Sequence, residues 1–227
     1  MSTRATARQT AIDIFLENFS EEWLFFLDDD FILNPGWWEE ASRYTQVPGV
    51  GLIWGVPYLP EVVKISRWVE AAGVSEREIA IRSFFIRGGT HDTLLRRGAV
   101  SGVRIPPWLN NYEDAYIKKF VVCRGWQWRI VQVGGIHLRG STEGYTTRDI
   151  NTMIWATYSY GFETLPPREF FALLFTLPLY AYYGAVAYRN PIRGLRAGLG
   201  PVVHNVGVWL GRLLKREDSC NKMTSGV

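Results

Sequence analysis

Three consecutive carboxylates, Asp28, Asp29 and Asp30, directly follow the apolar segment 23–27. That segment is short, continuous and rich in aromatic residues, which predicts a buried strand. Burial of the carboxylates without partners would be costly, so they must lie where the strand ends and meets water, a cation or a base. A hard divalent cation whose shell is completed by phosphates would neutralise them. A polar loop at the end of a strand has the same composition, so this segment alone leaves both interpretations open.

A second acidic pair, Glu113 and Asp114, stands at the start of a predicted helix that ends near Gly125. The helix dipole favours carboxylates in the first turn, so an ordinary helix start is enough to explain this pair. His137 follows the predicted strand 127–133. A lone histidine is usually structural, but a histidine at a strand end, with carboxylates at comparable ends, is a better candidate ligand.

The surrounding pattern predicts the elements that would position these side chains. A helix is expected over residues 4–19, with Ala7, Ala11, Ile14 and Phe15 on its buried face. A helix from Pro35 to about Tyr44 would be capped by Asn34. The remaining expectations are a strand at 50–56, a helix at 61–72, a strand at 78–87 and a turn at 88–92.

The composition narrows the class of protein. The chain has 227 residues, is 47% hydrophobic and 15% aromatic, and contains ten Trp. This aromatic content suits sugar stacking or a membrane interface, whereas a net charge of +3 is too weak to argue for nucleic acid. Cys123 and Cys220 lie far apart without metal-site spacing, which predicts reduced thiols in a cytosolic setting. The polar start of the chain does not resemble a secretory signal.

The acidic strand end and the segment after it resemble the central block of family 2 glycosyltransferases with the A-type fold. In that family an acidic triplet ends a strand and a proline–glycine helix start follows, as Asp28–Asp30 and Asn34–Trp37 do here. Three further blocks agree in order across roughly residues 4–140. They are Gly88-Gly89 through Arg96-Arg97, the Glu113-Asp114 helix and His137.

This resemblance implies an α/β fold: a truncated A-type glycosyltransferase, Rossmann-like, with a mixed central sheet and flanking helices, to which the apolar composition of the C-terminal region adds apolar helices. It implies metal-dependent, inverting transfer of a sugar from a nucleotide-sugar donor to an acceptor hydroxyl, such as that of a lipid-linked or cell-surface glycan. Asp28, Asp30 and His137 would hold Mn²⁺ or Mg²⁺ together with the donor diphosphate. Asp29 would face the ribose or sugar.

The same resemblance assigns the remaining site residues. Asp114 would be the general base and Glu113 would support it, while Gly88 and Gly89 would lie against the donor. The family's first nucleotide-binding elements have no counterpart in the sequence. An upstream segment or a partner chain would complete the sheet, or the chain is a non-catalytic remnant that binds a membrane or partner. A metal-dependent phosphoesterase or nuclease is a third alternative, although it would want more His and Asp ligands.

The sequence predicts two domains, a catalytic core over residues 1–145 and a helical region over residues 146–227. Residues 170–188 are uncharged and are followed by a second apolar stretch at 199–214. Basic residues flank both stretches, which favours helices lying on the cytoplasmic face of the cell membrane, peripherally or as a C-terminal anchor. Ordinary core helices are the alternative.

Overall fold

The computed structural model describes residues 3–57, 73, 75, 86–109, 111–138, 147–214 and 219–224. Within these residues the chain forms five strands and eight helices. In chain order they are α1 (Arg4–Asn18), β1 (Trp23–Leu27), β2 (Phe31–Leu33), α2 (Trp37–Thr45), β3 (Val50–Pro57), β4 (Asp92–Arg96), α3 (Arg97–Val100), α4 (Glu113–Cys123), β5 (Gln127–His137), α5 (Thr147–Tyr160), α6 (Pro167–Tyr188), α7 (Pro191–Leu214) and α8 (Ser219–Thr224).

The five strands form one mixed sheet in the order β1-β4-β3-β5-β2. β3 and β5 pair in parallel, and the other three pairs are antiparallel. The prediction of an α/β fold with a mixed sheet and flanking helices is therefore confirmed. The strands at 23–27 and 50–56 and the helix at 113 are also confirmed, and Gly125 follows α4 in the left-handed conformation.

β1 lies at one end of the strand order, and the prediction that it is buried throughout is wrong. Only Phe26 is buried, and Leu27 is 46% exposed. An apolar run of five residues has the same appearance in a central strand and in an edge strand, because it carries no alternation that reveals its neighbours. The position next to β1 belongs to β4, which was not predicted as a strand: the predicted turn at 88–92 ends where β4 begins.

Two helix details also differ from the prediction. α1 buries Ala5, Ile12 and Phe15, whereas Ala7 and Ile14 are exposed. A polar contact helps to set which side of α1 faces the core: Gln9 accepts a hydrogen bond from the Ile105 amide at 2.7 Å.

The start of α2 is the second difference. Its N-cap is Gly36 in the left-handed conformation, with no side-chain cap. Asn34 instead donates through Nδ2 to the Val133 carbonyl at 2.9 Å, which ties the helix start to β5. The predicted helix at 61–72, and the part of the predicted strand before residue 86, lie outside the described residues. Ile86 and Arg87, where that strand was expected to end, lie in a turn.

The chain divides into two compact units. One comprises Met1–Leu138 with Glu217–Val227, and the other comprises Arg139–Arg216. Cys123 of α4 and Cys220 of α8 form a disulfide, so the prediction of reduced thiols is wrong. Separation along the sequence did not reveal the pair, because α8 returns to pack on α4. Among the described helices, none combines the length and the apolar character that crossing a bilayer requires.

The disulfide should contribute substantially to stability, because it closes a loop of 97 residues that includes the whole second unit. Loop-closure entropy of this size corresponds to about 4–5 kcal/mol. We expect a Cys123→Ser/Cys220→Ser double variant to show a lower free energy of unfolding in urea, and a reductant to lower that of the wild type similarly. The reductant should leave the double variant unchanged. A wild-type unfolding curve that does not respond to reductant would contradict this expectation.

Candidate functional site

The acidic turn 28–30 lies between β1 and β2, and its first carboxylate already has a positively charged partner. Arg8 of α1 forms an ion pair with Asp28, and its guanidinium lies 4.7 Å from the centre of the Phe26 ring. The charge that the sequence requires opposite the triplet is thus supplied in part by an arginine. Asp29 is exposed, and the Asp30 carbonyl accepts the Leu138 amide at 2.7 Å.

Backbone pairing brings His137 next to this turn. Phe31, the residue after Asp30, pairs with His137 in the antiparallel register of β2 and β5. The sequence placed His137 after the end of a strand at 133, whereas β5 continues through it. The end of β5 and the acidic turn therefore lie side by side.

The second acidic pair is buried at the start of α4. Asp114 accepts the Ala115 amide at 2.7 Å through Oδ1, and its Oδ2 lies 2.9 Å from a guanidinium nitrogen of Arg87. Glu113 is only 4% exposed, and its Oε2 has no hydrogen-bond partner within the described part of the chain. Burial, and then the charge of Asp114, raise the pKa of Glu113 from its ordinary value of 4.5 to about 8. Glu113 therefore holds a proton at neutral pH.

The segment 86–92 contacts both acidic clusters. At one end Arg87 pairs with Asp114, and at the other the His91 carbonyl accepts the Asp28 amide at 2.9 Å. Three residues lie between Arg87 and His91, so their Cα atoms are at most ~14 Å apart. The structure thus brings the two predicted acidic clusters to opposite ends of one short segment.

Gly88 and Gly89 lie between these two contacts. Gly88 has a φ of +88°, and a Cβ there would lie 3.4 Å from the aliphatic chain of Lys118. A Cβ on Gly89 would lie 2.9 Å from His91 Nε2. Lys118 is buried, donates to the Ile86 carbonyl, and lies 4.8 Å from the centre of the Trp128 ring. Gly88 therefore allows the segment to run close to α4, and Gly89 leaves space for the His91 ring.

Asp92 forms a buried hydrogen-bond network next to the acidic turn that was not predicted from the sequence. Asp92 is fully buried; Trp37 Nε1 donates to its Oδ2 at 2.9 Å, and its Oδ1 contacts His91 Nδ1. The His91 ring stacks on Phe31, with ring centres 4.8 Å apart. An acidic residue directly before Thr93 and the apolar pair Leu94-Leu95 was the available signal, because a carboxylate that begins a buried strand requires donors.

The side chains around the acidic turn limit the kind of cation site that could form there. The described residues contain no group of three or more His, Cys, Asp or Glu side chains arranged to hold a metal ion. Mg²⁺ is commonly held by one or two carboxylates together with substrate phosphates. In the acidic turn such a cation would have to use Asp30 or displace Arg8, because Arg8 already pairs with Asp28.

No family model matches the chain, and no curated protein matches it significantly, so support for a function comes from the residues and their geometry.

Gly55 of β3 leaves the space in which Asp92 is bound, and its replacement should disrupt the network. A Cβ at Gly55 would lie 1.8 Å from Asp92 Oδ2 and 2.6 Å from Trp37 Nε1. We expect Gly55→Ala to lower the free energy of unfolding by about 3 kcal/mol or more, because a buried carboxylate would lose a donor. Gly98→Ala is the control, since only the Trp126 ring must move, by a few tenths of an ångström. Equal stability of the two variants in chemical unfolding would refute the role assigned to Gly55.

The raised pKa of Glu113 predicts a pH-dependent stability. Between the ordinary value of 4.5 and about 8, the folded chain holds a proton that the unfolded chain has lost. The free energy of unfolding should therefore fall as pH rises through this range, by at most about 1.4 kcal/mol per pH unit, and level off above it. We expect Glu113→Gln to remove this slope, so that its stability relative to wild type increases from pH 5 to pH 8.

The measurement is urea unfolding of both proteins across this pH range. Glu39→Gln removes an exposed carboxyl from α2 and serves as the control. A stability difference between Glu113→Gln and wild type that is constant with pH would show that Glu113 does not carry the proton.

Proposed function

We propose that the chain is a metal-dependent glycosyltransferase with a Rossmann-like A-type core, transferring a sugar from a nucleotide-sugar donor to an acceptor hydroxyl. The observation that carries the proposal is the segment 86–92, which contacts the Asp28 turn at one end and Asp114 at the other. A donor diphosphate at the acidic turn and an acceptor hydroxyl at Asp114 would then flank Gly88 and Gly89.

The donor side is built from the acidic turn. Asp30, with Asp28 and His137 as further candidate ligands, would hold Mn²⁺ or Mg²⁺ together with the diphosphate. When bound, this cation would stabilise the negative charge that develops on the leaving phosphate. Arg8 offers a second positive charge at the same place, because it pairs with Asp28. Asp29 is exposed and would face the ribose or sugar.

Gly88 and Gly89 would contribute to the donor side through their backbone. They carry no side chain, so a ligand can approach the main chain closely there. A larger residue at Gly89 would meet the His91 ring as well as the donor.

The acceptor side is built from the two carboxyl groups at the start of α4. Glu113 is protonated at neutral pH, so it can donate a hydrogen bond, and Asp114 is the member of the pair left to accept a proton. The acceptor oxygen would bond to the anomeric carbon as its proton passes to Asp114. The bond from that carbon to the diphosphate would break on the opposite face. The nucleoside diphosphate would leave with the electron pair, and the anomeric centre would be inverted.

Calorimetry tests the donor side directly. We expect UDP or GDP to bind the full chain in the presence of Mn²⁺, with much weaker binding after addition of a chelator. Asp30→Asn should weaken Mn²⁺-dependent binding by about tenfold or more, because a carboxylate ligand is lost. Asp13→Asn is the matched control, since Asp13 lies in α1 and pairs with the exposed Arg104.

Two outcomes would count against the proposal. Unaltered Mn²⁺-dependent binding by Asp30→Asn would remove the acidic turn from the donor site. Absence of nucleotide binding in the wild type would favour the alternative, a non-catalytic module that binds a membrane or a partner.

A further inference from the structure

Helix α6 of the second unit presents an apolar face to solvent along most of its length. Phe171, Phe175, Tyr182 and Val186 are all exposed, Phe175 by 83%, and they follow one another at intervals of four or seven residues. With 3.6 residues per turn this spacing places them on one side of the helix. The stripe spans roughly 22 Å, at 1.5 Å per residue, and Arg189 follows at its end, also exposed.

Helix α7 repeats the pattern with aliphatic residues. Its exposed large side chains fall on one face and run from the first turn to the last. They are Ile192, Leu195, Leu199, Val206, Leu210, Leu213 and Leu214, with Leu213 83% exposed. A surface helix of a water-soluble protein turns such a stripe towards the core. Here the stripe faces outwards on both long helices.

The inner side of α7 carries a polar residue and two glycines besides apolar side chains such as Val208. Asn205 of α7 is buried and accepts hydrogen bonds from Thr164 Oγ1 at 2.6 Å and from the Leu165 amide at 2.9 Å. Gly207 and Gly211 face α5, where a Cβ would lie 2.4 Å from Met153 Sδ and 2.7 Å from Thr157 Cβ. Small residues at the contact, with larger apolar residues facing outwards, are typical of helices that pack within lipid.

The charge of this region indicates which surface would cover the stripes. Residues 170–214 contain four arginines, at 189, 193, 196 and 212, and no aspartate or glutamate. Apolar stripes combined with a purely basic charge complement a bilayer whose headgroups are anionic. A protein partner would require an acidic surface together with a long apolar groove.

We infer that the apolar stripes of α6 and α7 bind the surface of an anionic lipid bilayer, with both helices lying in the interface. Phe171, Phe175 and Tyr182 supply aromatic contacts at the boundary between headgroups and acyl chains, while the exposed Arg189 and Arg212 contact the headgroups. This inference does not rest on sugar transfer and holds whether or not the first unit binds a nucleotide.

Vesicle flotation tests the inference with the full chain. We expect binding to vesicles of one part phosphatidylglycerol to three parts phosphatidylcholine, weaker binding to phosphatidylcholine alone, and loss of the difference at high salt. Phe175→Ser and Leu213→Ser should each weaken binding by about tenfold or more, because each removes a large apolar side chain from the bilayer. Phe19→Ser and Ile14→Ser, which alter exposed apolar residues of the first unit, should bind as the wild type does.

Circular dichroism of every variant must show an intact fold, and the exposure of both substituted side chains makes this the expected result. Sedimentation velocity without vesicles separates lipid from a second copy of the chain. A dimer in solution that Phe175→Ser or Leu213→Ser dissociates would overturn the inference and assign the stripes to self-association. Equal binding by Phe175→Ser, Leu213→Ser and the wild type would also overturn it.

Discussion

The fully buried carboxylate of Asp92 is the constraint on which the first unit depends. It lies at the start of β4, the strand between β1 and β3, and water does not reach it. A carboxylate in such a place persists only if donors are fixed around it. Trp37 at the start of α2 supplies one, and His91 supplies the other contact. Gly55 of β3 leaves the necessary space. The Asp92 side chain therefore links β4, α2, β3 and the segment before β4.

The buried Asp92 carboxylate also helps to position the candidate site, because His91 contacts both. Its ring is held by Asp92 and stacks on Phe31, while its carbonyl accepts the Asp28 amide. The acidic turn is therefore attached to the core through both the side chain and the backbone of one residue. Each acidic cluster then has its own arginine, Arg8 for Asp28 and Arg87 for Asp114. At Glu113 the effect of burial on the pKa outweighs that of the nearby Arg87 charge, which is why Glu113 holds a proton.

Much of the element order in the first unit could be predicted from the sequence, because periodicity and breakers are local signals. β1, β3 and α4 follow from apolar runs that end at acidic residues, Pro57 or Gly125. The place of β1 at one end of the described strand order could not be predicted, because an apolar run does not identify its neighbours. β4 was missed because Asp92 and Thr93 are polar although buried. The disulfide was missed because it joins residues whose proximity depends on the return of α8.

The residue types of the candidate site could be predicted from the sequence, whereas the partners of those residues could not. The identities of its acidic residues were visible, since three carboxylates after an apolar run require a cation or a base. Which cation each one meets is set by packing. The side of α1 that faces the core is settled by Gln9 and Arg8, whose polar partners lie in distant segments. The apolar residues of that helix are spread around its axis, so their positions alone do not identify the buried face.

Comparison of the two units shows why hydrophobicity alone does not identify a core. The first unit encloses large side chains, among them Trp37, Trp54 and Phe120, and their burial supplies its stability. The second unit brings α5 and α7 together through Gly207 and Gly211, whose lack of a side chain permits a backbone approach. Large side chains cannot occupy that contact, and several leucines of α7, among them Leu210, Leu213 and Leu214, are exposed. Water would oppose such an arrangement, whereas a lipid surface would stabilise it by covering the leucine and phenylalanine stripes.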